Sequence, residues 1–310
     1  MNRLKNFFFR LNTPDLIVIL FYLILTILNL IFFQRIVFWK ILVSANLLII
    51  TFVFLISEID NGKNKIIKTV HNWYAVPLIF GTFKELYYMV YPIHGRDYDE
   101  LLIAADRFIF GTDPTHVLYS ISNPYLTEFL QIVYSSFYFL PIILGIDLLL
   151  NNRHRAFEFS VFAVIYGFFL SYIGYLFLPA IGPRFTLHNF EATNLELPGL
   201  FLTNFLRETI NAGESIPSGT INPASVVQRD VFPSGHTQMT LIVMYLSVKL
   251  KTKSRYFFLI TGTLLIFATV YLRYHYFVDL IGGTFFMILT MWSGNIIYKK
   301  WKRIKSSYNR

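Results

Sequence analysis

His275 and Asp279 stand one helical turn apart, so on a helix their side chains meet on one face. A carboxylate bonded to one imidazole nitrogen fixes the tautomer and leaves the other nitrogen as a base or a nucleophile. The same spacing also suits a structural His–Asp pair at a helix end, and the residues alone leave both readings open. A second histidine lies in Phe232-Pro233-Ser234-Gly235-His236-Thr237, at the start of an apolar run. A helix start offers unpaired amides and a positive dipole end, which together suit an anion. There Ser234 can cap the helix or donate to a phosphate, Gly235 lets the backbone approach closely, and His236 can give a proton to a leaving oxygen. Pro217-Ser218-Gly219-Thr220 is the same turn without a histidine, so turn chemistry alone also produces such a string. Arg184, in Gly182-Pro183-Arg184, and Arg273 are guanidiniums that can fork onto phosphate oxygens or anchor a helix at a membrane boundary.

These residues are embedded in an unusually apolar chain. Of 310 residues 55% are hydrophobic and 15% charged, and the apolar ones come in long runs. A bilayer span takes ~20 such residues. Eight windows qualify: 14–33, 38–57, 70–91, 127–149, 156–179, 235–251, 255–272 and 276–298. The third is the weakest, because it holds Lys84 and Glu85. The expectation is an all-α integral membrane protein with about eight transmembrane helices. Its first residues have no short apolar core ending at a small-residue cleavage site, which predicts a retained first span. With no cysteine, disulfides and thiolate chemistry are excluded.

Cytoplasmic loops accumulate Lys and Arg. With the N-terminus inside, 18 such residues fall on inner segments (Arg3, Lys5, Arg10, Lys63, Lys65, Lys68, Arg153, Arg155, Lys249, Lys251, Lys253, Arg255 and six from Lys299 onward) and 8 on outer ones (Arg35, Lys40, Arg96, Arg107, Arg184, Arg207, Arg229, Arg273). Both termini are thus expected in the cytoplasm and the site on the extracytoplasmic face. The net charge of +9 is explained by this bias and by attraction to an anionic inner leaflet, and gives no support to nucleic-acid binding. Two long outer connections, 92–126 and 180–234, are where a site can be assembled. In the first, Leu101, Leu102, Ala105 and Phe108 have near-helical spacing among acidic residues, which predicts an interfacial or re-entrant helix. In the second, Pro198 opens a short amphipathic piece running to Leu206, a lid lying on the bilayer.

Together these pieces resemble the type 2 phosphatidic acid phosphatase superfamily, whose motifs lie on one face of a six-helix core. Its Pro-Ser-Gly-His stands here at 233–236 and its His-x-x-x-Asp at 275–279. The residues Tyr271-Leu272-Arg273-Tyr274-His275-Tyr276-Phe277-Val278-Asp279-Leu280, and Phe110-Gly111-Thr112-Asp113-Pro114-Thr115, look like the inositol phosphorylceramide synthase branch. The resemblance implies three parts: a two-helix extension (1–69), a six-helix catalytic core (70–298) and a basic tail (299–310). It implies His275 as the nucleophile on phosphorus, Asp279 as its orienter and His236 as acid and then base. Arg184, Arg273, Ser234 and Gly235 would hold the phosphate, with no metal or cofactor. The donor would be a phospholipid or lipid phosphate, and the acceptor a lipid alcohol or water. Two departures stand out: Thr269 replaces an arginine six residues before His275, and the usual Lys-x6-Arg-Pro is represented only by Gly182-Pro183-Arg184. They favour transfer over simple hydrolysis. The rival from another class is a transporter or scaffold whose His and Asp line a proton or solute path.

Overall fold

The computed structural model describes residues 8–60 and 62–308; Arg3, Lys5 and Arg310 of the charge count lie outside them. No strand occurs among the described residues. The longer helices are α1 (Thr13–Ile31), α2 (Trp39–Ile59), α3 (Lys65–Trp73), α4 (Ala75–Tyr87), α5 (Asp99–Phe110), α6 (Pro124–Ser135), α7 (Phe139–Leu150), α8 (His154–Phe177), α9 (Thr203–Gly213), α10 (Gly235–Lys249), α11 (Arg255–Tyr271) and α12 (Phe277–Tyr308). Short helical turns join them.

Among the described residues, five stretches are long and apolar enough to cross a membrane: Thr13–Ile31, Trp39–Ile59, Pro124–Leu150, His154–Phe177 and Phe277–Ser307. The other three of the eight windows hold shorter helices. The 70–91 window is divided among α3, α4 and a turn at Val90–His94. α10 has 15 residues and α11 has 17, about 22 and 26 Å at ~1.5 Å per residue, against a hydrocarbon core of ~30 Å.

Two buried networks satisfy polar residues that look out of place in apolar windows, Glu85 and Gln238. Glu85 of α4 accepts from Asn29 of α1 (3.0 Å) and Asn46 of α2 (2.8 Å). Tyr22 meets Thr82 at 2.7 Å, and Phe21 stacks on Phe169 of α8 with centroids 4.0 Å apart. The first two helices are thereby fastened to the rest by buried contacts, within one apolar cluster running from Leu11 to Trp301. Beneath the motif helices, Gln238 of α10 donates to Gly167 O of α8 and Thr290 Oγ1 of α12, both at 3.0 Å, and receives the Ser171 hydroxyl.

Hydrogen bonds sort the connections into two ends. At one, Arg10 pairs with Glu58, Lys302 with Glu158, Arg153 reaches Leu250 O, and Lys305 reaches Leu11 O. At the other, Arg35 reaches Ile93 O, Lys84 reaches Gly213 O, and Arg229 pairs with Asp97. Connections 92–126 and 180–234 pack together at this second end, as a cap over the bundle. In the first, α5 forms as the spacing predicts, but its apolar residues divide: Leu102 is buried while Leu101 and Phe108 (91% exposed) face outward. In the second, the helix begins at Thr203 and not at Pro198. The reason is Glu128 of α6, whose carboxylate accepts the N–H groups of Leu200, Phe201, Leu202 and Thr203 and so captures the chain before it can coil.

Candidate active site

α10 and α12 start side by side at the capped end. Their approach depends on Gly283, where a Cβ would fall 2.6 Å from Ser234 O and 3.0 Å from Thr237 Cβ. Ser234 N donates to Asp279 O at 3.0 Å, locking the two starts together. The turn before α12 is set by Thr269, whose carbonyl accepts from Tyr274 N (3.0 Å) and His275 N (3.1 Å).

His275 Nδ1 lies 3.0 Å from Val231 O and 3.3 Å from Asp279 Oδ2. A backbone carbonyl only accepts, so Nδ1 carries the proton and Nε2 keeps its lone pair. That lone-pair nitrogen faces His236 Nδ1 at 3.4 Å. Asp279 is fully buried, and its Oδ2 also accepts Tyr276 N at 2.7 Å. The His236 ring is fixed from both sides, stacked on Tyr134 (4.6 Å) and tilted against Phe137 (4.2 Å). Phe137 is placed there by a break in the α6–α7 span: Pro141 has no N–H for the carbonyl four residues back, and residues Ser136–Tyr138 form a 3-10 turn.

Of the phosphate-holding candidates, Arg184 lies over Tyr274, whose ring stacks on Tyr134 and through it on His236, while Arg273 pairs elsewhere. The Arg184 guanidinium is buried, sits 4.7 Å over the Tyr274 ring, donates to Asn211 Oδ1 (2.9 Å) and pairs with Glu214. Arg273 pairs with Glu196 and lies over Tyr119, with its Nε buried and unpartnered. Ser234 acts as the helix cap, its Oγ accepting Thr237 N at 3.2 Å. At Gly235 a Cβ would fall 2.5 Å from the Tyr175 hydroxyl, so the close approach that glycine permits here is to a side chain.

Residues 100–293 match the family model of the PAP2 superfamily. The chain belongs to the PAP2 superfamily. The match covers more than half of the chain and contains both histidines, Asp279 and both arginines. No curated protein and no solved structure matches it. Phosphatase or phosphotransferase chemistry on lipid-like phosphates follows from membership in the PAP2 superfamily.

This PAP2 chain uses several residues at its site that motif spacing did not single out. Asp99 accepts from Ile181 N (3.0 Å), Gly182 N (2.8 Å) and the Tyr276 hydroxyl (2.8 Å), so it fixes the loop that presents Arg184. Asp106 accepts from Phe277 N (2.8 Å) and Val278 N (2.7 Å), the first amides of α12. Burial pushes both carboxyls above the ordinary aspartate value, and the N–H donors pull them back. Asp230 is next to the carbonyl that holds His275, and burial raises its pKa while the charges of Arg184 and Lys84 oppose that rise. Lys84 brings a cation to this end from α4, donating to Gly213 O (2.6 Å) and Ser215 Oγ (2.9 Å). A cue was available in sequence: an ionisable residue in an apolar window calls for a partner or a role.

Proposed function

We propose that this protein is a membrane phosphotransferase that moves a phospho-head group from a phospholipid to a lipid alcohol through a phosphohistidine. The observation that carries the reading is the disposition of His275, with Nδ1 bonded to Val231 O and Asp279 and Nε2 free beside His236. His275 Nε2 forms a bond to phosphorus while the bond to the leaving alkoxide breaks, and protonated His236 gives that alkoxide its proton. His236, now neutral, takes the proton of the acceptor hydroxyl, whose oxygen attacks phosphorus and frees His275. Arg184 leaves Glu214 to hold the equatorial oxygens.

Transfer to lipid is favoured over hydrolysis by the cap. Phe201 is 88% exposed and Phe205 65%, with Leu200 and Leu202 beside them, so the cap presents an apolar outer surface suited to a lipid acceptor. The similarity of residues 271–280 and 110–115 to inositol phosphorylceramide synthases points the same way. The same reading has eight crossings, the capped end extracytoplasmic and both termini cytoplasmic, supported by the 18 to 8 distribution of Lys and Arg.

The test is to incubate the purified protein with labelled phospholipid donors and with diacylglycerol, ceramide and polyprenol acceptors in one bilayer, and to trap the enzyme in acid and in base. An acid-labile, base-stable label is expected in the parent, none in His275→Ala, and label without turnover in His236→Ala when the donor has a good leaving group. Release of hydrolysis products alone across all acceptors would assign the chain to the plain lipid phosphatases instead.

A further inference from the structure

A polar pocket opens in the cap beside Arg184, with about 540 Å³ of space between its walls, mouth included. Arg184, its partner Asn211 and the Tyr274 ring beneath its guanidinium all line this pocket, so the proposed phosphate holder belongs to both places. A second guanidinium on its wall, Arg207 of α9, is just as hidden, at 6% exposed. What surrounds it sets it apart. Its acceptors are Asn194 Oδ1 (2.9 Å), Leu197 O (2.7 Å) and Thr193 O (3.4 Å), all of them neutral. The other buried arginines each have a carboxylate: Arg184 has Glu214, Arg229 has Asp97 and Arg273 has Glu196. Among the described residues Arg207 forms no ion pair. Holding the 193–197 turn calls for N–H donors and not for a charge, and a buried charge with no counterion is costly. Two carboxylates, Glu191 and Glu208, also line the pocket, but they are exposed at its edge.

We propose that Arg207 is a second anion subsite, which binds a carboxylate on the substrate's head group while Arg184 holds the phosphate. The inference rests on the phosphotransfer reading above and names the class of head group: an amino-acid type such as phosphoserine, with a carboxylate and an ammonium beyond its phosphate. A guanidinium forks onto a carboxylate through two parallel N–H···O bonds, a match of shape as well as charge. The ammonium of the same group comes to Glu191 and Glu208, so each charge of the zwitterion meets an opposite one on the wall. A head group with an ammonium alone, such as phosphoethanolamine, leaves Arg207 uncompensated. One with hydroxyls alone leaves these three charges unmatched. The carboxylate-bearing head group should therefore be preferred by about 10- to 100-fold, the worth of a hydrogen bond between charged groups.

Two measurements test this. In the first, the full-length protein in detergent is titrated by calorimetry with phosphoserine, phosphoethanolamine and inorganic phosphate. Phosphoserine is expected to bind about 10- to 100-fold more tightly than phosphoethanolamine, with most of the difference lost in Arg207→Gln and part of it kept in Arg207→Lys. Equal binding of the two head groups by the parent would overturn the proposal, and that comparison needs no variant to fold. Two inorganic phosphates bound per chain, with phosphoserine no tighter than phosphoethanolamine, would make the guest a free phosphate and sink the head-group assignment as well. In the second, phosphatidylserine and phosphatidylethanolamine compete as donors in one bilayer, and the transferred head groups are counted by mass spectrometry. Phosphoserine transfer should dominate; products in the same ratio as the donors would refute the subsite. Selective binding of phosphoserine without turnover of either lipid would leave the subsite standing and sink the phosphotransfer reading instead.

Discussion

Asp106 is predicted to hold the start of α12, and with it the Asp279 carboxylate of the proposed site, in place from another element. It accepts the first two amides of α12 at 2.8 and 2.7 Å, and Asp279 lies on the first turn that those amides begin. Asp106→Ala orphans both N–H groups in a buried setting, at ~1–3 kcal/mol each, and water entry offsets part of that, for a loss of about 2–4 kcal/mol. Asp106→Asn keeps one of the two acceptor oxygens, sets an NH2 against the other amide and loses the charge at the helix start, for about 1–3 kcal/mol. In detergent the alanine variant should unfold on the order of 5–10 °C below the parent, with asparagine between. Turnover should fall with it, because a shift of ~1 Å at Asp279 or His275 costs about 100-fold in kcat, while KM stays near the parent value since Arg184 is untouched. The measurement is a thermal scan beside a kcat and KM determination for all three proteins. An alanine variant with the parent's unfolding temperature and kcat would refute the claim that α12 depends on this cap.

Three further outcomes are expected. Phe201→Ser with Phe205→Ser should raise the ratio of hydrolysis to transfer severalfold, read by mass spectrometry of products, because the cap's apolar outer surface is what suits it to a lipid acceptor. His188 is held down to about 3 by burial, with the Arg273 and His116 charges adding to it. The folded state therefore refuses a proton that the unfolded chain accepts near pH 6.5, so stability present above 6.5 is lost as pH falls toward 3, and His188→Gln should flatten that limb of a melting-temperature profile. Reporters placed near Lys65 and after Arg310 should be cytoplasmic and one near Asn211 extracytoplasmic; Asn211 on the cytoplasmic side would remove the proposed orientation.

Legibility varied with how local the cause was. The His275–Asp279 pair and the Ser234 start of α10 depend on spacings of a few residues, and the chain folds them as that spacing requires. Length also reads well: among the described residues five of the eight windows hold a stretch long and apolar enough to cross a membrane. What escaped depends on partners far away in sequence. Glu85 looked like a flaw in a span and is satisfied by Asn29 and Asn46, 56 and 39 residues away. Asp99 and Asp106 read as the polar face of an interfacial helix, yet they are its buried face, because the backbone amides of two other loops need acceptors there. Arg184 stood for the first motif and Arg273 was a second candidate beside His275, and the cap's carboxylates, Glu214 and Glu196, show what each one faces. Phe137 had no signal beyond Pro141, four residues on.

The pairing of Arg184 with Glu214 gives the proposed reaction a means of letting go. A buried guanidinium without a counterion is costly, so an open Arg184 would cling to any phosphate that reached it, product included. In the proposed reaction Glu214 stands in for the anion, and a phosphate displaces it on binding. The same carboxylate then competes for the guanidinium once chemistry is done. Binding and release become two directions of one exchange, in which the number of ion pairs in the site hardly changes. A protein arranged in this way gives up some grip on its substrate and gains an unobstructed exit for its product.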